Sequence, residues 1–216
     1  RIARARDRYD VDHFRRFLPT HPVQVGDVWP VDPKAVLPFL RQVIPVATGE
    51  LHHGPVGAPG AFACLRWASE DAAEIVLRAH AEFHILAGSP PTEIWLTPAQ
   101  FLGRMRLDRR AGTVSAFELL LPDARANVDV NVRRGEDVVA DIGRIPRLEV
   151  RSGALGDDGD HGGLSLAAAE ALLAKSFYPS AGLEWLELPA ALAESRATGK
   201  PMHVLTMFGS LLDESC

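Results

Sequence analysis

The stretch Glu74–Ile85, "EIVLRAHAEFHI", decides the fold. Ile75, Leu77, Ala79, Ala81, Phe83 and Ile85 alternate with Val76, Arg78, His80, Glu82 and His84. A period of two puts each set on its own face of an extended chain. The run therefore predicts an antiparallel strand, half-buried, with its apolar face in a core. Toward the C-terminus come "IWLTPAQFLGRMRL" (94–107), "AFELLLP" (116–122), "NVDVNVRR" (127–134) and "VVADIGRIPRLEV" (138–150), divided by proline, glycine and charged turns. In the third of these, Val128, Val130 and Val132 alternate with Asn127, Asp129 and Asn131. Short runs with regular turn signals predict a β-meander, and hence a sheet-rich unit over residues 1–152.

Toward the N-terminus the pattern is weaker. Prolines at 19, 22, 30, 33, 38 and 45 forbid long regular elements there. "DPKAVLPFLRQV" (32–43) predicts a short helix, with Asp32 as N-cap and Pro33 in the first turn. "GELHHGPVGAPG" (49–60) reads as a loop.

Beyond Val150 the composition changes. "GALGDDGDHGG" (153–163) lacks the spacing and closing glutamate of an EF-hand and reads as a linker. Ser165 then caps a predicted helix, "LAAAEALLAKSF", with Leu166, Ala169 and Leu173 on one stripe. A second helix carries Leu188, Ala191, Leu192 and Ser195 at i, i+3, i+4, i+7 and is ended by Gly199 and Pro201. "MHVLTMF" (202–208) is apolar almost throughout, which predicts a strand buried on both faces, as in a parallel sheet covered by helices. A polar loop follows, and the sequence given stops at Cys216.

Composition bounds the function. The 216 residues carry 23 basic and 28 acidic side chains, a net charge of −5, against a nucleic-acid-binding surface. No apolar run reaches the roughly 18 residues of a membrane helix. The first residue is arginine, so membrane association through a missing N-terminal segment stays open, and the basic run Arg1–Arg6 reads as a tail. Lysine occurs only at 34, 175 and 200 among many arginines, which suggests a GC-rich, bacterial genome. The two cysteines, Cys64 and Cys216, form neither a disulfide framework nor a zinc spacing, and no cofactor or metal is implied. Cys64, in "AFACLRW", reads as a small buried hydrophobe. Arg78, His80, Glu82 and His84 lie about 6.6 Å apart in successive pairs, so cross-strand ion pairing and hydrogen bonding is their expected use rather than one metal or acid–base cluster. His203 is expected to hydrogen-bond inside the buried strand.

The order helix, "GKP", buried strand, loop, cysteine is that of the entry into a thioredoxin-like active site. A buried parallel strand delivers the chain to the sheet edge where ligand sites form. A helix starting there stabilises a thiolate through its unpaired N–H groups and dipole.

"TMFGSLLDESC" resembles the segment that precedes selenocysteine in the selenoprotein N family, whose redox motif runs Ser-Cys-selenocysteine-Gly. Ser215 and Cys216 match its first two positions. "HFRRFLP", "VGDVW", "GAFACLRWAS", "RAHAEFHI", "TPAQFLGRMRL", "LLLPDARANVDV", "VVADIGRIPRLEV" and "SFYPSAGLEWLELPAALAESRATGKPMHVLTMFG" resemble the family in the same order. The selenocysteine, the glycine after it and the rest of the thioredoxin-like fold are not in this sequence, nor is the calcium-binding helix–loop–helix of animal members.

The resemblance implies an α+β protein: a β-rich antiparallel domain (1–152), a linker (153–163), and a helix with the first part of a thioredoxin-like α/β domain (164–216). It implies a thiol/selenol–disulfide oxidoreductase working through a Cys–selenocysteine pair, of which Cys216 is the member present and Ser215 its motif neighbour. A UGA codon after Cys216, read as a stop, would give this ending, and the 216-residue form would be inactive. Implied partners are a disulfide-containing protein and a thiol or reductase donor. Animal members sit in the endoplasmic-reticulum membrane; a bacterial relative would be cytoplasmic or membrane-associated. The competing reading is a non-catalytic binding or scaffold protein that keeps the fold.

Overall fold

The computed structural model describes residues 8–45, 47–52, 60–89, 91–122, 128–146, 148–156, 161–178 and 183–204. Among these the chain forms one antiparallel sheet and four helices, so the α+β expectation holds for the β-rich part.

Two long strands form the spine, β4 (Ala72–Ala87) and β5 (Thr92–Asp108), paired along nearly their whole length. Each is shared by two shorter partners. The first half of β4 pairs with β3 (Ala61–Ala68) and its second half with β2 (Thr48–Leu51). The second half of β5 pairs with β6 (Thr113–Leu121) and its first half with β7 (Val128–Arg134). β1 (Val28–Pro30) lies outside β3, β8 (Asp137–Gly143) outside β7, and β9 (Leu148–Ser152) outside β6. A simple meander therefore holds only for β3 to β6. β7 returns to β5 and β9 to β6, pairings that join residues distant in sequence. β2 also corrects the loop expected over 49–60: Gly49–Leu51 lie opposite Phe83–Ala81 and complete the second half of β4.

One sheet face holds the main core. Ile75, Leu77, Ala79, Ala81 and Phe83 pack with Ala35, Val36, Phe39 and Leu40 of α2 (Pro33–Val43). The predicted cap is present, since the Asp32 side chain accepts from the Lys34 amide at 2.9 Å. A short α1 (Val11–Arg15), capped by Asp10, was not anticipated. It brings Phe14 against Phe39 and Phe117, whose rings stack at 4.6 Å. Trp29 Nε1 donates to the Phe17 carbonyl at 2.9 Å and fastens this aromatic layer.

The other face departs from expectation. A half-buried strand should leave its polar side in water, yet Glu74, Arg78 and His80 are buried. The cover is α3 (Leu166–Phe177), whose Ser165 cap accepts from the Ala168 amide at 3.1 Å as predicted. Ala169 and Leu173 of its predicted stripe meet Cys64 and Val76 of the sheet. Backbone hydrogen bonding ties Leu164 to Arg66, and Gly163 presses so closely on Arg66 and Trp67 that a Cβ there would collide with both.

α4 (Leu188–Thr198) ends at Gly199 in the left-handed region, φ 70°, where glycine avoids the Cβ clash. It buries no residue. Residues 202–204 are not in a strand and His203 is exposed, which corrects the hydrogen-bonded, buried histidine expected there. The remainder of that predicted strand, Ser215, Cys216 and the basic run Arg1–Arg6 lie outside the described residues. No helix among the described residues is long and apolar enough to cross a membrane.

Candidate functional site

The four residues aligned along the polar face of β4 separate into two groups. Arg78 donates from Nε to His80 Nε2 at 3.0 Å and from its terminal nitrogen to Gln100 Oε1 at 2.8 Å. His80 is stacked on Phe177 of α3 at 3.8 Å, with the Arg78 guanidinium 5.4 Å from the same ring. A bulge between Ala81 and Phe83 then shifts the register. Glu82, at the bulge, meets His52 and Thr97, and beyond it His84 stacks on Trp95 at 4.9 Å. The expected hydrogen bonding is present, and no metal-holding group of histidine, cysteine, aspartate and glutamate occurs among the described residues.

Thr97, His52 and Glu82 invite comparison with a hydroxyl–imidazole–carboxylate relay. A relay needs the hydroxyl and the carboxylate on opposite ring nitrogens. Here Thr97 Oγ1, at 3.1 Å, and Glu82 Oε2, at 3.4 Å, both face His52 Nδ1. The geometry does not relay a proton, and the pair is open to solvent.

The strongest charge assembly was missed in the sequence. Glu74 is fully buried, and its carboxylate accepts from Arg66 at 2.6 Å, Arg104 at 3.0 Å and Arg106 at 2.8 Å. A bulge between Leu65 and Trp67 sets Trp67 opposite Glu74, and Arg106 lies opposite on the other side. The Arg106 guanidinium sits 5.3 Å from the Trp67 ring, and His161 stacks on that ring at 4.1 Å. On α3, burial raises the Glu170 carboxyl above its usual range, against the opposing pull of Arg78, Arg104 and Arg66. The alternation of Arg104 and Arg106 around Met105, on the strand paired directly with that of Glu74, was the available signal.

Cys64 is buried under α3, as expected of a small hydrophobe. Burial first, and the charge of Asp27 second, push its thiol from 9.0 up to about 11. Such a thiol is a poor nucleophile at neutral pH. The folded state holds this proton to higher pH than the unfolded chain, so the associated stability is complete below about 9 and declines as pH rises toward 11. The urea midpoint is expected to fall more steeply over that window in the wild-type chain than in Cys64→Ala. Equal slopes would show that burial does not hold the proton.

Across almost its whole length the chain is similar to animal selenoproteins. It is 28% identical to human Selenoprotein N over 258 aligned residues, covering 94% of this chain and 44% of that protein. For Selenoprotein N of Mus musculus the figures are 27%, 94% and 46%, and for that of Danio rerio 28%, 94% and 46%. The chain is thus selenoprotein N-like, as its motifs indicated, and spans less than half the length of the curated relatives it matches. No protein-family model matches it. No solved structure matches it either.

Proposed function

We propose that this chain is the sheet-rich portion of a thiol/selenol–disulfide oxidoreductase of the selenoprotein N type, whose polypeptide continues past Cys216 into selenocysteine, glycine and the remainder of a thioredoxin-like domain. The observation that carries this reading is the similarity to Selenoprotein N over 94% of the chain. A second feature supports it: Leu183, Trp185, Leu186, Leu188, Leu192 and Val204 are exposed within one short segment. Further polypeptide packed there would remove that apolar surface from water.

In this reading Cys216 is the resolving thiol and Ser215 its motif neighbour. After a mixed selenenyl sulfide has formed with a protein substrate, the Cys216 thiolate attacks selenium. An Se–S bond to Cys216 forms, and the substrate's sulfur leaves as a thiolate that takes up a proton. A thiol or reductase donor then returns two electrons to the pair. A non-catalytic scaffold is the second reading, favoured by the way the Glu74 cluster bonds within itself beneath α3 rather than facing a substrate.

The test is to express the reading frame continued through position 217, with selenocysteine or cysteine there, and to measure reduction of a protein disulfide. Turnover is expected in the extended chain, lost in Cys216→Ser and absent from the 216-residue form. No gain on extension would leave the scaffold reading standing.

A further inference from the structure

We propose that α3 is a pH-sensitive strap across the sheet, whose grip is set by the protonation of Glu170. Helical spacing puts this residue on the docking side. Glu170, Leu173, Ala174 and Phe177 stand at i, i+3, i+4 and i+7, and the last three are buried. A carboxylate thus continues the stripe by which the helix meets the sheet. Phe177 is seated on His80, which fixes one end of that stripe over the middle of β4. Glu170 lies two turns back, toward the end where Leu164 is bonded to Arg66.

Charged and titratable groups lie beneath α3 on three strands: Arg66 and Cys64 of β3, Glu74, Arg78 and His80 of β4, Arg104 and Arg106 of β5. On the helix itself Lys175 is exposed. The two acids of this group differ in their surroundings. Glu74 accepts from three guanidiniums, whereas Glu170 makes no hydrogen bond or ion pair of its own among the described residues. Arg78 is turned to His80 and Gln100. An ionised Glu170 therefore gives up water on docking without gaining a donor in return. Burial raises its carboxyl above the usual range, and the pull of Arg78, Arg104 and Arg66 offsets this only in part. The docked helix consequently holds the proton more tightly than the lifted one. The contribution of Glu170 to docking is complete below the ordinary value of 4.5 and is lost as pH climbs through the higher docked value. At neutral pH α3 lifts more readily than in acid, uncovering Cys64 and the polar row of β4 while the core on the opposite face stays packed. This device does not depend on the redox reading.

The test is amide hydrogen exchange of the 216-residue chain at pH 4 and at pH 8, read for α3 against β4 after correction for intrinsic exchange rates. Glu170→Gln keeps the shape and nearly the helix propensity of the wild-type side chain. Its α3 should be several-fold better protected than that of the wild type at pH 8 and equal to it at pH 4. Lys175→Gln, on the exposed side of the same helix, should retain the wild-type response to pH. Equal protection of Glu170→Gln and wild type at pH 8 would overturn the proposal. So would weaker protection of the variant at pH 8, because the arginines would then be holding the ionised carboxylate in place. A gain of the same size at both pH values would overturn it too, since that gain would belong to packing and not to the proton.

Discussion

Glu74→Leu is expected to destabilise the protein by ~3–5 kcal/mol, the cost of removing one partner from a buried ion pair. The carboxylate is the shared acceptor of Arg66, Arg104 and Arg106, whose side chains are only 5%, 16% and 18% exposed. Without it, like charges converge in a poorly solvated space beneath α3, and each retains its desolvation cost. Glu74→Gln keeps the shape and one acceptor oxygen, so its loss should be intermediate. The damage should be partly reversible: adding Arg66→Met to Glu74→Leu removes the most buried orphaned charge and is expected to recover stability, because apolar replacement of a whole buried pair is often close to neutral. Urea unfolding of the variants checks this. A Glu74→Leu midpoint within experimental scatter of wild type would mean that the arginines find other anions or water, and that the cluster does not hold the sheet.

The same residue explains where the sequence could be read and where it could not. The alternation around Ile75 and Leu77 is local, and so are the caps at Asp32, Ser165 and Gly199, where a side chain or a glycine acts on backbone a few residues away. Those elements were legible. Whether Glu74 and His80 face water depends on α3, which begins at Leu166 and lies far along the chain. Period-two alternation reports that two faces differ in polarity; it does not report that a later helix covers the polar one. The bulge that brings Trp67 opposite Glu74 and the return of β7 to β5 are likewise long-range choices. β2 was hidden because Gly49 and a run of histidine, glycine and proline carry turn chemistry, yet the open second half of β4 supplied the pairing that overrode it. For the candidate site, the family resemblance reached Ser215 and Cys216, whereas the Arg66–Glu74–Arg104–Arg106 assembly needed the pairing of three strands.

Phe177→Ala should release α3 from the sheet, and Cys64 reports it. Phe177 is 1% exposed; it stacks on His80, meets Phe62 edge-on at 5.1 Å and lies under the Arg78 guanidinium. Truncating a buried phenylalanine costs ~3–5 kcal/mol. The rest of the α3 contact centres on Ala169 and Leu173 against Cys64 and Val76, with Leu166 and Leu172 at its margin, so the loss falls on the docking of one helix more than on the sheet. Such an element can open on its own while the core stays folded. Opening would bring the Cys64 thiol into water, where its pKa returns from about 11 toward 9.0 and its thiolate fraction at a given neutral pH rises on the order of a hundredfold. Alkylation of Cys64 at pH 8 should therefore accelerate strongly in Phe177→Ala, under conditions where the far-ultraviolet signal of the sheet is unchanged. With Cys216 replaced by serine, the reading comes from Cys64 alone. A fall in global stability without faster labelling would show that Leu173 and the Leu164–Arg66 hydrogen bonds hold α3 unaided.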